Sequence, residues 1–172
     1  PFDIHLRQLR SEETFNGSST RRITVGFVGN LCEDMYTNTT IASFFKMVER
    51  AEAIISILRY FGNSVTIPGS SAGYIGTEKI QLLIGGFGHG VIPSSHPQNY
   101  VQFLRECDFF IALPGINIPF CHNLIESMMC GCIPILQYGN LMPEPLVDGV
   151  NCLTYDSIPS LFSAIERAIS MQ

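Results

Sequence analysis

Two stretches of this chain combine glycine, amide, imidazole and carboxylate groups in an order suited to a phosphorylated ligand. The first is Pro114-Gly115-Ile116-Asn117-Ile118-Pro119-Phe120-Cys121-His122-Asn123, which feeds a helix carrying Glu126 in its first turns. A loop running into a helix start presents backbone N–H groups, here from about Cys121 to Leu124, and with the helix dipole these make an anion site. Glu126 lies one turn further in, too deep to cap the helix. A carboxylate there is a pure acceptor and suits the hydroxyl groups of a sugar. The second stretch is Phe27-Val28-Gly29-Asn30, an apolar run closed by a turn, where a phosphate or a ribose has room.

Each of these residues also has a plainer role open to it. Glu126 can be a helix carboxylate favoured by the dipole, His122 a cap or a solvated imidazole, and Asn123 a partner of its own helix turn. Arg50 and Lys46 fall on the polar side of the longest helix pattern, where they read as solvated charges, with Arg50 kept as a candidate for a diphosphate. His89 and His96 sit in Gly- and Pro-rich loop segments, as sugar contacts or solvated histidines.

The elements that must hold these groups follow from the apolar spacing. Ile23 to Gly29 reads as a buried strand. Ile41, Phe44, Phe45, Val48, Ala51, Ile54, Ile55 and Leu58 recur at threes and fours, predicting one long helix from about Thr39, ended by an αL cap at Gly62. Ser64 to Pro68 reads as a short strand and Thr77 to Ile84 as a second helix, closed by Gly85-Gly86. Pro97 after Ser94-Ser95-His96 starts a third helix. Asp108 to Leu113 is an apolar strand, Leu124 to Met129 a helix ended by Gly131, and Ile133 to Leu136 a strand. Asn151 to Tyr155 and a last helix through Leu161, Phe162, Ile165 and Ile169 complete the chain. This alternation of strands and helices, with several strands apolar on both sides, predicts an α/β fold: a Rossmann-like, doubly wound parallel sheet covered on both faces.

Composition bounds the function. At 172 residues the chain suits a single domain of about 150. Charged residues are only 15% and hydrophobic ones 46%, with a mean hydropathy of +0.23. This excludes an intrinsically disordered tail and points to surface covered by another domain or subunit. Ten basic against fifteen acidic residues, net charge -5, without a Lys/Arg-rich stretch, argue against a nucleic-acid partner. No apolar run reaches the length of a membrane span. Six cysteines without a C-x-x-C pair read as reduced, mostly buried thiols and neither a disulfide framework nor a metal site, and we place the chain in the cytoplasm. Residues 1–22 read as a linker or the tail of a preceding domain, and the chain, starting at Pro1, as a fragment.

From Arg105 to Ile169 the sequence resembles a known family. Glu106 to Pro114, Phe120, Leu124-Ile125-Glu126-Ser127-Met128, Cys130-Gly131-Cys132-Ile133-Pro134-Ile135 and Pro145 to Asn151 together resemble the donor-binding half of GT-B glycosyltransferases, most of all the group 1 and exostosin-like branches. The resemblance implies that residues 23–172 are one half of a GT-B fold, its C-terminal nucleotide-sugar-binding domain. It implies that Glu126 holds the ribose, that Phe120, Cys121, His122 and Asn123 form the phosphate-facing turn, and that Gly115, Gly29, Asn30 and Arg50 complete the donor site. Ile118 stands where group 1 enzymes usually carry a second glutamate. The substrate would be a nucleotide diphosphate sugar and the partner a missing N-terminal acceptor domain, with neither metal nor other cofactor required. A noncatalytic nucleotide- or partner-binding module and a sugar-nucleotide epimerase or phosphorylase are the alternatives on the same architecture.

Overall fold

The computed structural model describes residues 21–31, 36, 39–67, 79–85 and 97–171. Six strands form one sheet: β1 (Ile23–Asn30), β2 (Val65–Thr66), β3 (Ile80–Gly85), β4 (Cys107–Ile111), β5 (Ile133–Leu136) and β6 (Leu153–Thr154). Their order is β2-β3-β1-β4-β5-β6, and every pairing is parallel. The helices with described bounds are α1 (Thr40–Ser43), α2 (Arg50–Phe61), α3 (Pro97–Arg105), α4 (His122–Met129) and α5 (Ile158–Ser170).

The apolar runs dictate a sheet buried on both faces. Along β4, Phe109 and Ile111 pack with Val25 and Phe27 of β1 against Ala53, Ile54 and Ile57 of α2 and Leu161 and Ile165 of α5. The alternate residue, Phe110, packs with Ala112 and Val28 against Phe103 and Leu104 of α3 and Leu124 of α4. One pair of helices therefore covers each face, which is the doubly wound arrangement. Gly26 lets α3 come close to β1, since a Cβ there would fall 2.3 Å from the Cys107 Sγ and 3.2 Å from the Phe103 ring.

Four sequence expectations change. The long helix is two: α1 ends at Ser43, and α2 begins only at Arg50. Between them the Gln137 amide accepts from the Val48 N–H (2.9 Å) and donates to the Val48 carbonyl (3.2 Å). Glu49 accepts from the Thr39 N–H (2.6 Å) and hydroxyl (3.0 Å). These bonds take backbone groups that a continuous helix would use, and Lys46 sits at φ 58° in the break and not on a helix face. The second revision is β3, read as a helix, which is a strand between β1 and β2. Its alternation of Ile80, Leu82 and Ile84 is too short for periodicity to choose between the two structures, and the vacant edge of β1 decides. The third concerns Gly62, which ends α2 at φ 49°, ψ -118°. That is a positive-φ glycine conformation, outside the αL region, and it leads into a 3-10 turn. The fourth is Arg50, which is buried (5% exposed) and not a solvated charge.

The expected helix end at Gly131 holds. Gly131 ends α4 at φ 79°, with the Cys132 N–H on the Ser127 carbonyl and the Gly131 N–H on that of Met128, a Schellman motif. Arg21 and Arg22, at the end of the expected linker, are tied to the sheet: Arg21 donates to the carbonyls of Cys107 and Cys130, and Arg22 makes a two-pronged pair with Glu106. No helix among the described residues is long and apolar enough to cross a membrane.

Candidate functional site

The chain leaves β1 toward the β3 and β2 side of the sheet, whereas it leaves β4 toward β5 and β6. β1 and β4 are neighbours, so the space beyond their carboxyl ends is the topological switch point, the place where doubly wound sheets hold ligands. A cleft of about 570 Å³ lies there, lined by Val28, Gly29 and Asn30 from β1, by Gly115 to Ile118 and Phe120 to Asn123 from the segment after β4, and by Tyr36, Arg50 and Tyr100. Gly115, Gly29, Asn30, Arg50, Phe120, Cys121, His122 and Asn123, eight residues singled out in the sequence, thus line one cleft. The ninth, Glu126, is not among the lining residues. His89 and His96 lie outside the described residues.

The turn after β4 needs glycine at Gly115, since a Cβ would lie 2.8 Å from the Ile118 carbonyl oxygen. The segment then enters α4 with Cys121 as the N-cap, in extended conformation and without a side-chain cap bond. The expected run of open N–H groups is shorter than predicted, because the Leu124 N–H closes onto the Cys121 carbonyl at 3.1 Å. Asn123 reaches out of the helix: its amide donates to the Val28 carbonyl at 3.0 Å, fastening α4 to the end of β1. With the nitrogen so fixed, Oδ1 can only accept, and it is buried without a partner among the described residues.

Arg50, the first residue of α2, points its guanidinium into the junction of β1, β4 and α4. It donates to the carbonyls of Pro114 (3.0 Å) and Asn30 (3.3 Å), to the Tyr36 hydroxyl (2.9 Å) and to the Cys121 Sγ (2.9 Å). Its guanidinium carbon stands 4.4 Å from the centre of the Tyr36 ring. These partners are backbone carbonyls, a hydroxyl, a sulfur and a ring face, no carboxylate among the described residues pairs with it, and its Nε has no partner there. A buried cation normally has a counter-charge, and among the described residues none stands beside Arg50.

Glu126 is 1% exposed. Its Oε2 accepts from the Tyr100 hydroxyl at 2.5 Å and lies 3.9 Å from His122 Nε2, while Oε1 is unpartnered among the described residues. Burial first, and then the Glu126 charge, push the Tyr100 hydroxyl far above its ordinary pKa, so Tyr100 stays the donor. Phe120 stands edge-on to the buried Tyr138 ring at 5.7 Å, and Ile118 is exposed at the rim. Among the described residues no cluster of His, Cys, Asp or Glu could hold a metal.

Tyr36 and Tyr100 are the site residues that sequence reasoning missed. Tyr100 falls on the apolar stripe of α3 and reads as core. Its signal was the phenolic hydroxyl, which demands a partner when buried. Tyr36 stands in a segment without apolar period, and nothing in the sequence marks it.

The described residues make this a Rossmann-like, doubly wound α/β fold with its cleft at the switch point. No family model matches the chain, and neither the curated proteins nor the solved structures contain a match to it.

Proposed function

We propose that this chain is the nucleotide-sugar-binding domain of a GT-B glycosyltransferase, acting with an N-terminal acceptor domain outside this sequence. The observation that carries the reading is Arg50, a buried guanidinium without a carboxylate partner among the described residues, set beside the start of α4 in the switch-point cleft. A diphosphate supplies the missing negative charge. In sugar transfer the bond between the anomeric carbon and the diphosphate oxygen breaks as the acceptor oxygen bonds to that carbon. Negative charge then grows on the leaving diphosphate, where Arg50 and the N-terminus of α4 act electrostatically. Asn123, on the cleft wall, supplies an acceptor for ribose or sugar hydroxyls, and Glu126, which does not line the cleft, has a second buried oxygen with unused capacity behind it.

Calorimetric titration of the folded chain with UDP, GDP and ADP tests this. We expect weak binding, because one face of the cleft is open without the second domain, with a preference for one base. Absence of heat for all three at millimolar nucleotide would sink the reading.

A further inference from the structure

We propose that Cys121 is a modification site for soft electrophiles that carry a carboxylate or phosphate group, seated by Arg50 in the switch-point cleft. The inference shares the anion site with the glycosyltransferase reading and is independent of which nucleotide or sugar that reading requires.

The five described cysteines have free thiols, and four of them are sealed in the fold, Cys107, Cys130, Cys132 and Cys152 being 5% exposed or less. Burial pushes the Cys107 thiol well above its ordinary range and that of Cys132 up to about 12, which keeps both protonated and unreactive. Cys121 differs in place. It is half-buried on the cleft wall, its Sγ is 2.9 Å from Arg50 Nη2, and it is the N-cap of α4.

Beside it stand the Arg50 guanidinium, which no carboxylate among the described residues pairs, and Asn123, 5% exposed, with Oδ1 unpartnered among the described residues. An anionic electrophile drawn to Arg50 is therefore held next to the sulfur. In the reaction the sulfur forms a bond to the electrophilic carbon, the leaving group departs with the bonding electron pair, and the thiol proton goes to solvent. No oxidant enters.

The probes are iodoacetate and iodoacetamide, which have the same reacting carbon and leaving iodide and differ in charge. The folded chain is treated with each, and labelling rates are read for every cysteine by peptide mass spectrometry, with the urea-unfolded chain as reference. We expect the iodoacetate-to-iodoacetamide rate ratio at Cys121 to exceed the unfolded ratio by about tenfold, the low end of what a focused field does to local anion concentration. We also expect inorganic phosphate to slow carboxymethylation of Cys121, and Cys121→Ser to abolish the fast label.

A ratio equal to that of the unfolded chain overturns the proposal, as does labelling that phosphate leaves unchanged. A folded Arg50→Gln variant that keeps the raised ratio overturns it too, and if this variant does not fold, the wild-type ratio and the phosphate competition decide alone. Nucleotide titration of unlabelled protein separates the two readings. Binding with an unraised ratio removes this site and keeps the donor site, and a raised ratio without nucleotide binding does the reverse.

Discussion

The hydroxyl of Tyr100 on α3 donates to the carboxylate of Glu126 on α4 at 2.5 Å, joining the two helices that cover one face of the sheet. Glu126 is out of water and Tyr100 half-buried, and a buried carboxylate normally keeps a hydrogen-bond partner. Tyr100→Phe removes the donor and leaves a buried carboxylate short of a partner. We expect it to lower stability by about 1 to 3 kcal/mol, the cost of an unsatisfied buried group, in urea unfolding. A loss below about 0.5 kcal/mol, within the range of ordinary surface changes, would mean that water reaches Glu126.

Gly26 is a packing prediction. The Cβ of Gly26→Ala meets Cys107 Sγ at 2.3 Å and the Phe103 ring at 3.2 Å, an overlap that α3 and β4 must yield to, so we expect destabilisation of about 1 to 3 kcal/mol. Cys107→Ala clears the nearer atom. In the double variant the penalty of the added methyl should shrink, giving a coupling energy of at least about 0.5 kcal/mol in a double-mutant cycle. Additive effects would show that the clash is with the backbone or Phe103 instead.

Asp148 predicts a pH dependence. Its carboxylate accepts from the Thr154 N–H at 2.7 Å and faces Arg167 at 3.1 Å, and these two, the backbone bond first, hold its pKa below the ordinary carboxylate value. A depressed folded pKa means that the unfolded chain binds the proton more readily, so the carboxylate stabilises the fold above the unfolded value of about 3.9. The contribution fades as pH falls through the lower folded value. Asp148→Asn should thus lower the urea midpoint at pH 7, with the gap to wild type closing below about pH 3.9. A gap of constant size across that range would remove Asp148 from the acid response.

How far the sequence could be read depends on whether an element's reason is local. The α4 to β5 unit was legible, because Gly131, the apolar stripe from Leu124 and the Ile133 to Leu136 run each carry their own signal. The loop and helix start at Gly115 to Asn123 were legible for the same reason, and so was the switch-point placement once strand alternation was seen. β3 was not: its six residues are a strand because β1 offers an open edge. The break before Arg50 was hidden likewise, since Gln137, 89 positions from Val48, makes it. Arg50 looked like a surface charge because its neighbours Asn30, Pro114 and Cys121 meet it only in the folded chain.

Glu126 remains the residue on which a sugar-binding and a purely structural role diverge most. Because it is buried and bonded to Tyr100, alanine would leave a hole and remove the acceptor of the Tyr100 hydroxyl, so the informative change is Glu126→Gln, which keeps the shape and an acceptor for Tyr100. If Oε1 accepts from a ribose hydroxyl, replacing a charged acceptor by a neutral one should weaken nucleotide binding by about 1 kcal/mol, the difference between charged and neutral hydrogen bonds. A 2′,3′-dideoxy nucleotide removes the other half of the same contact. It should bind wild type more weakly than the parent nucleotide does, and should bind wild type and Glu126→Gln alike, because the two changes delete one interaction. Calorimetry of the two proteins with the two ligands gives the four affinities needed. Equal losses from the substitution with both ligands would show that Glu126 and the ribose do not meet. The carboxylate would then serve only to hold α3 and α4 together through Tyr100.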